Sequence, residues 1–172
     1  MKKTNSCPMC KRVHGYGVAE ALKSLGATSG RLRAYTKRLT PKQLAARPAE
    51  GKWSIRELVT HLADTEIVYG FRYRKILAEE TPELVTFDQE LWAGNLNYRE
   101  RDFNSVLDLF KAIRGNNLDL AKRKSAKDWK RAGKHPEYGP LSLEQLIVHA
   151  AFHDTNHLEQ IQRIRNGLRA RG

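Results

Sequence analysis

The chain has 172 residues, the size of one ordinary domain of about 100–200 residues; folding at that length buries roughly 70% of the extended chain's surface, so no disulfide framework is required. Its 31 Lys and Arg against 19 Asp and Glu give a formal charge of +12, which serves solubility or attracts anions; the densest basic stretch, Lys111 to Lys134, lacks aromatic interleaving or a nucleic-acid module, so it reads as a solvated face and nucleic acid is disfavoured as a partner. MKKT is charged like the start of a signal peptide, but NSCPMCKRVHGYG follows where an apolar run should stand, and no run reaches the roughly 18 apolar residues of a spanning helix, so a soluble, cytoplasmic protein with no membrane partner is expected.

Residues 1–16 are expected to form a flexible extension ahead of a bundle domain at 17–172. Cys7 and Cys10 are too few for a secreted scaffold and favour a reducing interior. With His14 they offer three zinc donors and His135 is a candidate fourth; a redox CxxC and an incidental tail are the alternatives.

Val18, Leu22, Leu25, Leu32, Tyr35 and Leu39 draw one apolar stripe along a first helix, which Thr40-Pro41 is expected to end. GKWSIREL opens the second: Ser54 and Glu57 form a capping box, with Trp53 and Leu58 placed as its staple. Ile55, Leu58, Leu62, Tyr69, Tyr73 and Ile76 continue its buried face until Thr81-Pro82. A long connection over 81–101, with Trp92 and Tyr98 as anchors, leads to a third helix at about Asp102 to Lys124, weakened in its middle by Gly115. A second connection, rich in turn residues (Gly133, Pro136, Gly139, Pro140), precedes a fourth helix that repeats the entry device with Leu141, Ser142, Gln145 and Leu146. No convincing strand run is present. The expected fold is all-α, an antiparallel four-helix bundle with long inter-helix connections.

HAAFHDTNHLEQI places His149, His153 and His157 on the fourth helix at steps of four. Taking Ala150 as the core direction, His157 lies about 20° off it, His153 about 60° and His149 about 100°. His149 and His157 are about 12 Å apart along the axis, too far to share one ion. The inward pair His153 and His157 therefore leads, with His61 of ELVTHLADTE as the candidate third ligand from a facing helix. A metal site and a set of hydrogen-bonded core histidines both stay open on this reading, and the nearby acids Asp64, Glu66, Asp154 and Glu159 receive no assigned role.

GKWSIRELVTHLADTE, HDTNHLEQI, FDQELWAGNLNY and EYGPLSLEQL occur in an order that resembles the DinB-like family of bacterial four-helix bundles, over roughly residues 17–168. The resemblance implies a divalent metal, Zn, Ni or Mn, held by three histidines that map onto His61, His153 and His157. It also implies a homodimer and a small-molecule substrate. Relatives in that family include thiol-dependent transferases, a maleylpyruvate isomerase-like branch and proteins named as metal-dependent hydrolases, so a hydrolase or a transferase using a low-molecular-weight thiol is expected, with a noncatalytic metal-binding or stress-response role as the alternative.

Overall fold

The computed structural model describes residue 9 and residues 17–169. The expectations for Cys7, Cys10, His14 and a flexible 1–16 extension lie outside the described residues.

Four long helices carry the fold: α1 (Val18–Thr36), α3 (Ile55–Ala78), α5 (Phe103–Lys122) and α7 (Leu143–Arg169). Between them lie three short ones, α2 (Pro41–Ala45), α4 (Gln89–Asn95) and α6 (Ala126–Trp129), and a hairpin of β1 (Ala132–His135) and β2 (Gly139–Ser142). The four-helix bundle is therefore present as expected. Both capping boxes form: Ser54 Oγ accepts from the Glu57 N–H while Glu57 accepts from the Ser54 N–H, and Ser142 and Gln145 do the same.

Around the bundle, α1 packs against α7 and α5, and α3 packs against α5 and α7, so α1 stands diagonally across from α3. Thr28 meets Asp154 and Tyr35 meets Arg165; α1 and α7 thus run parallel. Glu66 meets Arg114, and Arg74 further along meets Asn117, so α3 and α5 are parallel too. The two pairs oppose each other, since Arg33 reaches Asp108 while Arg114 reaches the Leu25 carbonyl. Parallel neighbours need a connection that returns along the bundle, and residues 79–102 supply it.

The apolar core divides into two clusters. One gathers Leu25, Tyr73, Ile76, Leu141 and Leu146, and the other Leu32, Leu58, Leu62, Phe110 and Ile161. Between them a buried Arg114 binds Asp154 at 2.6 Å and Glu66 at 2.7 Å. Thr28 donates to Asp154, Asn117 donates to Glu66, and Arg114 itself donates to the Leu25 carbonyl. Each long helix contributes a group to this network.

Two local expectations are corrected. Thr40-Pro41 begins an element rather than ending one: α1 stops at Thr36, Arg38 takes φ +71°, and Thr40 caps α2 with Pro41 in the first turn, where a proline loses no hydrogen bond. The turn-rich connection holds two four-residue strands, paired from Ala132↔Ser142 to His135↔Gly139; Gly133, Gly139 and Pro140 among them hide the strands from a strand pattern. Gly139 turns the hairpin at φ +71°. Gly133 is demanded by close approach, because a Cβ there would lie 2.6 Å from the Leu84 side chain. That approach lets Pro82 and Leu84 exchange backbone hydrogen bonds with Lys134 at 2.7 and 2.9 Å, which pins the crossing segment to the hairpin.

At Gly70 α3 makes a close approach to α5: a Cβ would meet Asn117 at 2.6 Å, and Asn117 is held by Glu66 and Arg74. Gly70→Ala is expected to destabilise the fold by about 1–3 kcal/mol through overpacking, lowering Tm in calorimetry by about 2–4 °C per kcal/mol. Gly115→Ala, with nothing within 4 Å, is expected to raise Tm through helix propensity.

Candidate metal centre

His61 sits two turns into α3, and His153 and His157 are one turn apart on α7, which runs antiparallel to α3 at this contact. His61 Nε2 lies 3.1 Å from His153 Nε2, and His157 Nε2 lies 3.2 Å from the same atom. One ligand atom from each ring falls within 4.8 Å of the others. The structure thus brings the three sequence-selected histidines to one point. His149 stands apart, its ring centroid 6.5 Å from that of His153.

A neutral imidazole nitrogen offers one proton or one in-plane lone pair. His153 Nε2 therefore makes one straight hydrogen bond and not two, so hydrogen bonding alone leaves one of its contacts unsatisfied. Three lone pairs aimed at a shared cation have no such conflict. With metal–nitrogen bonds of about 2.0–2.1 Å and tetrahedral angles, neighbouring donors sit about 3.3 Å apart, close to the two separations observed. The residues present fit a divalent ion.

Protonation follows the same direction. Burial, then the charge His157 would carry, pushes His61 down to about 3. Burial and then His157 also hold His153 well below the usual histidine range, and burial lowers His157 despite Gln160 and Asp154. Neutral rings are the form that ligates. The His157 ring is oriented as well: Nδ1 lies 3.2 Å from Gln160 Oε1, an acceptor, so Nδ1–H donates and Nε2 keeps its lone pair. His153 Nδ1 is buried and has no hydrogen-bond partner among the described residues.

Trp53 packs on His61 with centroids 5.0 Å apart, and Phe87 from the crossing segment closes from another side at 6.5 Å. His61 and His153 form part of the wall of a cavity of about 240 Å³, shared with Tyr69, Arg72, His135 and His149. A larger groove of about 450 Å³ runs past Arg47, Lys52 and Arg163; it touches the histidines only through Gln160.

The candidate acids do not reach the rings. Asp154 and Glu66 are committed to Arg114, Asp64 is buried beside Tyr98, and Glu159 is exposed near Arg163. Sequence reading missed Arg114, Arg72 and Gln160. A signal for the first existed: Arg114 follows Phe110 by four residues on the apolar stripe of α5, a core position for a charge.

Four long helices that bring three histidines from two facing helices together beside a cavity define a helical bundle with a candidate metal site. The chain belongs to the DinB superfamily, whose family model matches residues 24–161. A protein of Halalkalibacterium halodurans is 27% identical over 141 residues, covering 82% of each chain, and one of Oceanobacillus iheyensis is 30% identical over 123 residues, covering 72% of this chain and 71% of its own. Both are provisionally named metal-dependent hydrolases. The solved structure of YfiT from Bacillus subtilis superposes with a TM-score of 0.83 at 23% identity, covering 88% of this chain and 87% of that one. YfiT is described provisionally as a metal-dependent hydrolase with an unusual four-helix bundle topology. Among the described residues no helix is long and apolar enough to cross a membrane.

Because the folded pKa values are depressed, the unfolded chain binds more protons below its ordinary histidine pKa of about 6.5. Stability of the metal-free protein is therefore present above that pH and lost as pH falls towards the folded values, with His61 contributing about 1.4 kcal/mol per pH unit. Urea midpoints measured with chelator at about pH 7 and about pH 5 are expected to fall accordingly; equal midpoints contradict the assignment of neutral buried rings.

Proposed function

We propose that the chain is a metal-dependent enzyme acting on a small molecule, with His61, His153 and His157 as the ligands of one divalent ion, Zn, Ni or Mn. The observation that carries this reading is the approach of two imidazole nitrogens to His153 Nε2 at 3.1 and 3.2 Å, a contact that neutral rings cannot satisfy by hydrogen bonding alone. The names of the relatives support hydrolysis as the reaction.

A divalent ion at this point supplies Lewis acidity and lowers the pKa of a water or thiol that reaches it. The chain's own residues do the rest. Three neutral imidazoles add no charge of their own, so the cation's charge is not offset by its ligands. Gln160 holds His157 in the tautomer that ligates. Trp53 and Phe87 shield the His61 side from water, which strengthens electrostatic effects at the site. A substrate enters through the 240 Å³ cavity. Transfer to a low-molecular-weight thiol is the second reaction compatible with this donor set. Pairing of two copies is also proposed, through the α3 face on which Ile67 and Phe71 are 42% and 49% exposed.

His157→Ala is expected to lose more than about 100-fold in metal affinity, beyond what loss of a supporting hydrogen bond causes, while Gln160→Leu loses about 10–100-fold. Metal content by mass spectrometry, helicity by circular dichroism, and turnover of ester and amide panels with each metal, with and without thiol, test this. Full metal occupancy in a folded His157→Ala protein overturns the ligand set. Metal binding with no turnover on any panel favours the noncatalytic role.

A further inference from the structure

The cavity contains a second chemical feature, which the histidine cluster does not use. Arg72 is only 7% exposed, yet no carboxylate pairs with it among the described residues. Its Nε and Nη2 both donate to the Val85 carbonyl, at 3.0 and 2.6 Å. Nη2 also stands 3.4 Å from His135 Nε2.

That last contact is not a hydrogen bond. The Glu137 backbone N–H donates to His135 Nδ1 at 3.2 Å, so Nδ1 presents its lone pair and the ring proton of the neutral form sits on Nε2. Burial, and then the neighbouring Arg72 charge, favour the neutral ring. Two N–H groups, one cationic and one neutral, therefore converge with no carboxylate shared between them among the described residues. A buried guanidinium without a counter-ion is costly, and paired donors facing a cavity are what an anionic oxygen group satisfies.

The charge available selects the anion. Arg72 brings one positive charge, the imidazole none, and Glu137, the sole carboxylate lining the cavity among the described residues, is exposed and opposes a dianion. One cation with two donors suits a carboxylate better than a phosphate monoester, which carries about −1.5 to −2 near neutral pH. His61, Thr65, Tyr69 and Arg72 follow one another at steps of four, four and three along α3, so the histidines and the arginine line one strip of the same cavity, their α-carbons about 16 Å apart along the axis.

We propose that Arg72 and His135 form a carboxylate-binding subsite, and that the molecule acted on at the histidine cluster carries a carboxylate at the end remote from the bond that reacts. The first half stands on geometry alone; the second rests on the function proposed above.

The test uses the full chain with chelator, so that it does not depend on metal. Calorimetric or NMR titration with hexanoate, its neutral isostere hexanamide and inorganic phosphate reads the subsite directly. Hexanoate is expected to bind at least about tenfold tighter than hexanamide, a difference of about 1.4 kcal/mol. Arg72→Met is expected to abolish that preference, and His135→Phe to reduce it, with Tm and zinc binding close to the wild-type values. A role confined to pinning Val85 would change Tm without changing the carboxylate-to-amide ratio. If Arg72→Met does not fold, Arg72→Lys decides: it keeps the charge but loses the planar fork, and the ratio is expected to fall several-fold. Equal binding of acid and amide by the wild type, no binding of hexanoate at millimolar concentration, survival of the preference in the decisive variant, or tighter binding of phosphate overturns the proposal. Absence of zinc binding by the wild type would instead remove the metal assignment and leave the subsite result standing.

Discussion

A single buried guanidinium sets the geometry of the molecule. Arg114 of α5 sits between Asp154 of α7 and Glu66 of α3, with Thr28 and the Leu25 carbonyl of α1 completing the ring of partners. Removing one partner of such a network strands a charge in the core, at a cost of about 3–5 kcal/mol. The rotation of each helix about its own axis is therefore tied to a charged contact as well as to apolar packing. Asp154 and His153 are adjacent, about 100° apart around α7; when the carboxylate turns towards α1 and α5, the imidazole turns towards α3. Glu66 and His61 are linked in the same way, about 140° apart on their helix. The meeting of the three histidines is a geometric consequence of where the buried charges lie.

This arrangement also separates charge from chemistry. Asp154 and Glu66 are occupied by Arg114, Asp64 lies buried beside Tyr98 and Glu159 is exposed near Arg163, so none of the four acids near the histidines in sequence pairs with the rings among the described residues. The cavity takes its positive charge from Arg72. Its walls come from elements distant in the chain: α3, α7, the crossing segment with Phe87, and the hairpin with His135 and Tyr138. The hairpin acts structurally through Gly133, which allows the crossing segment close enough to hydrogen-bond at Lys134. A small strand pair thus holds one wall of the cavity in register with the helix that carries His61.

Much of this was legible in the sequence because it is written in short-range patterns. The Ser54 and Ser142 boxes located the starts of α3 and α7 to the residue, and the wheel of α7 separated His153 and His157 from His149. Helix direction was not legible: Thr28 and Asp154 are 126 positions apart, and no local period records that α1 and α7 run parallel. The hairpin escaped because Gly133, Gly139 and Pro140 have poor strand propensity and are kept in place by Leu84 and Pro82, which lie far back in the chain. Arg72 looked ordinary alone, and His135 stood out only as a candidate fourth zinc donor beside Cys7, Cys10 and His14. Their significance depends on the Glu137 N–H that fixes the imidazole tautomer, a relation visible only in three dimensions.

The parallel embrace of α1 by α7 bears on how the molecule is made. During synthesis the first helix emerges from the ribosome with its principal neighbour still untranslated, and Arg114 emerges before Asp154 exists to meet it. Productive closure waits for α7, so the seam stays open until that helix has been made. Contacts of such large sequence separation slow folding relative to an up-and-down bundle of equal length, and they make the C-terminal helix the element whose arrival completes both the core and the histidine cluster in one step.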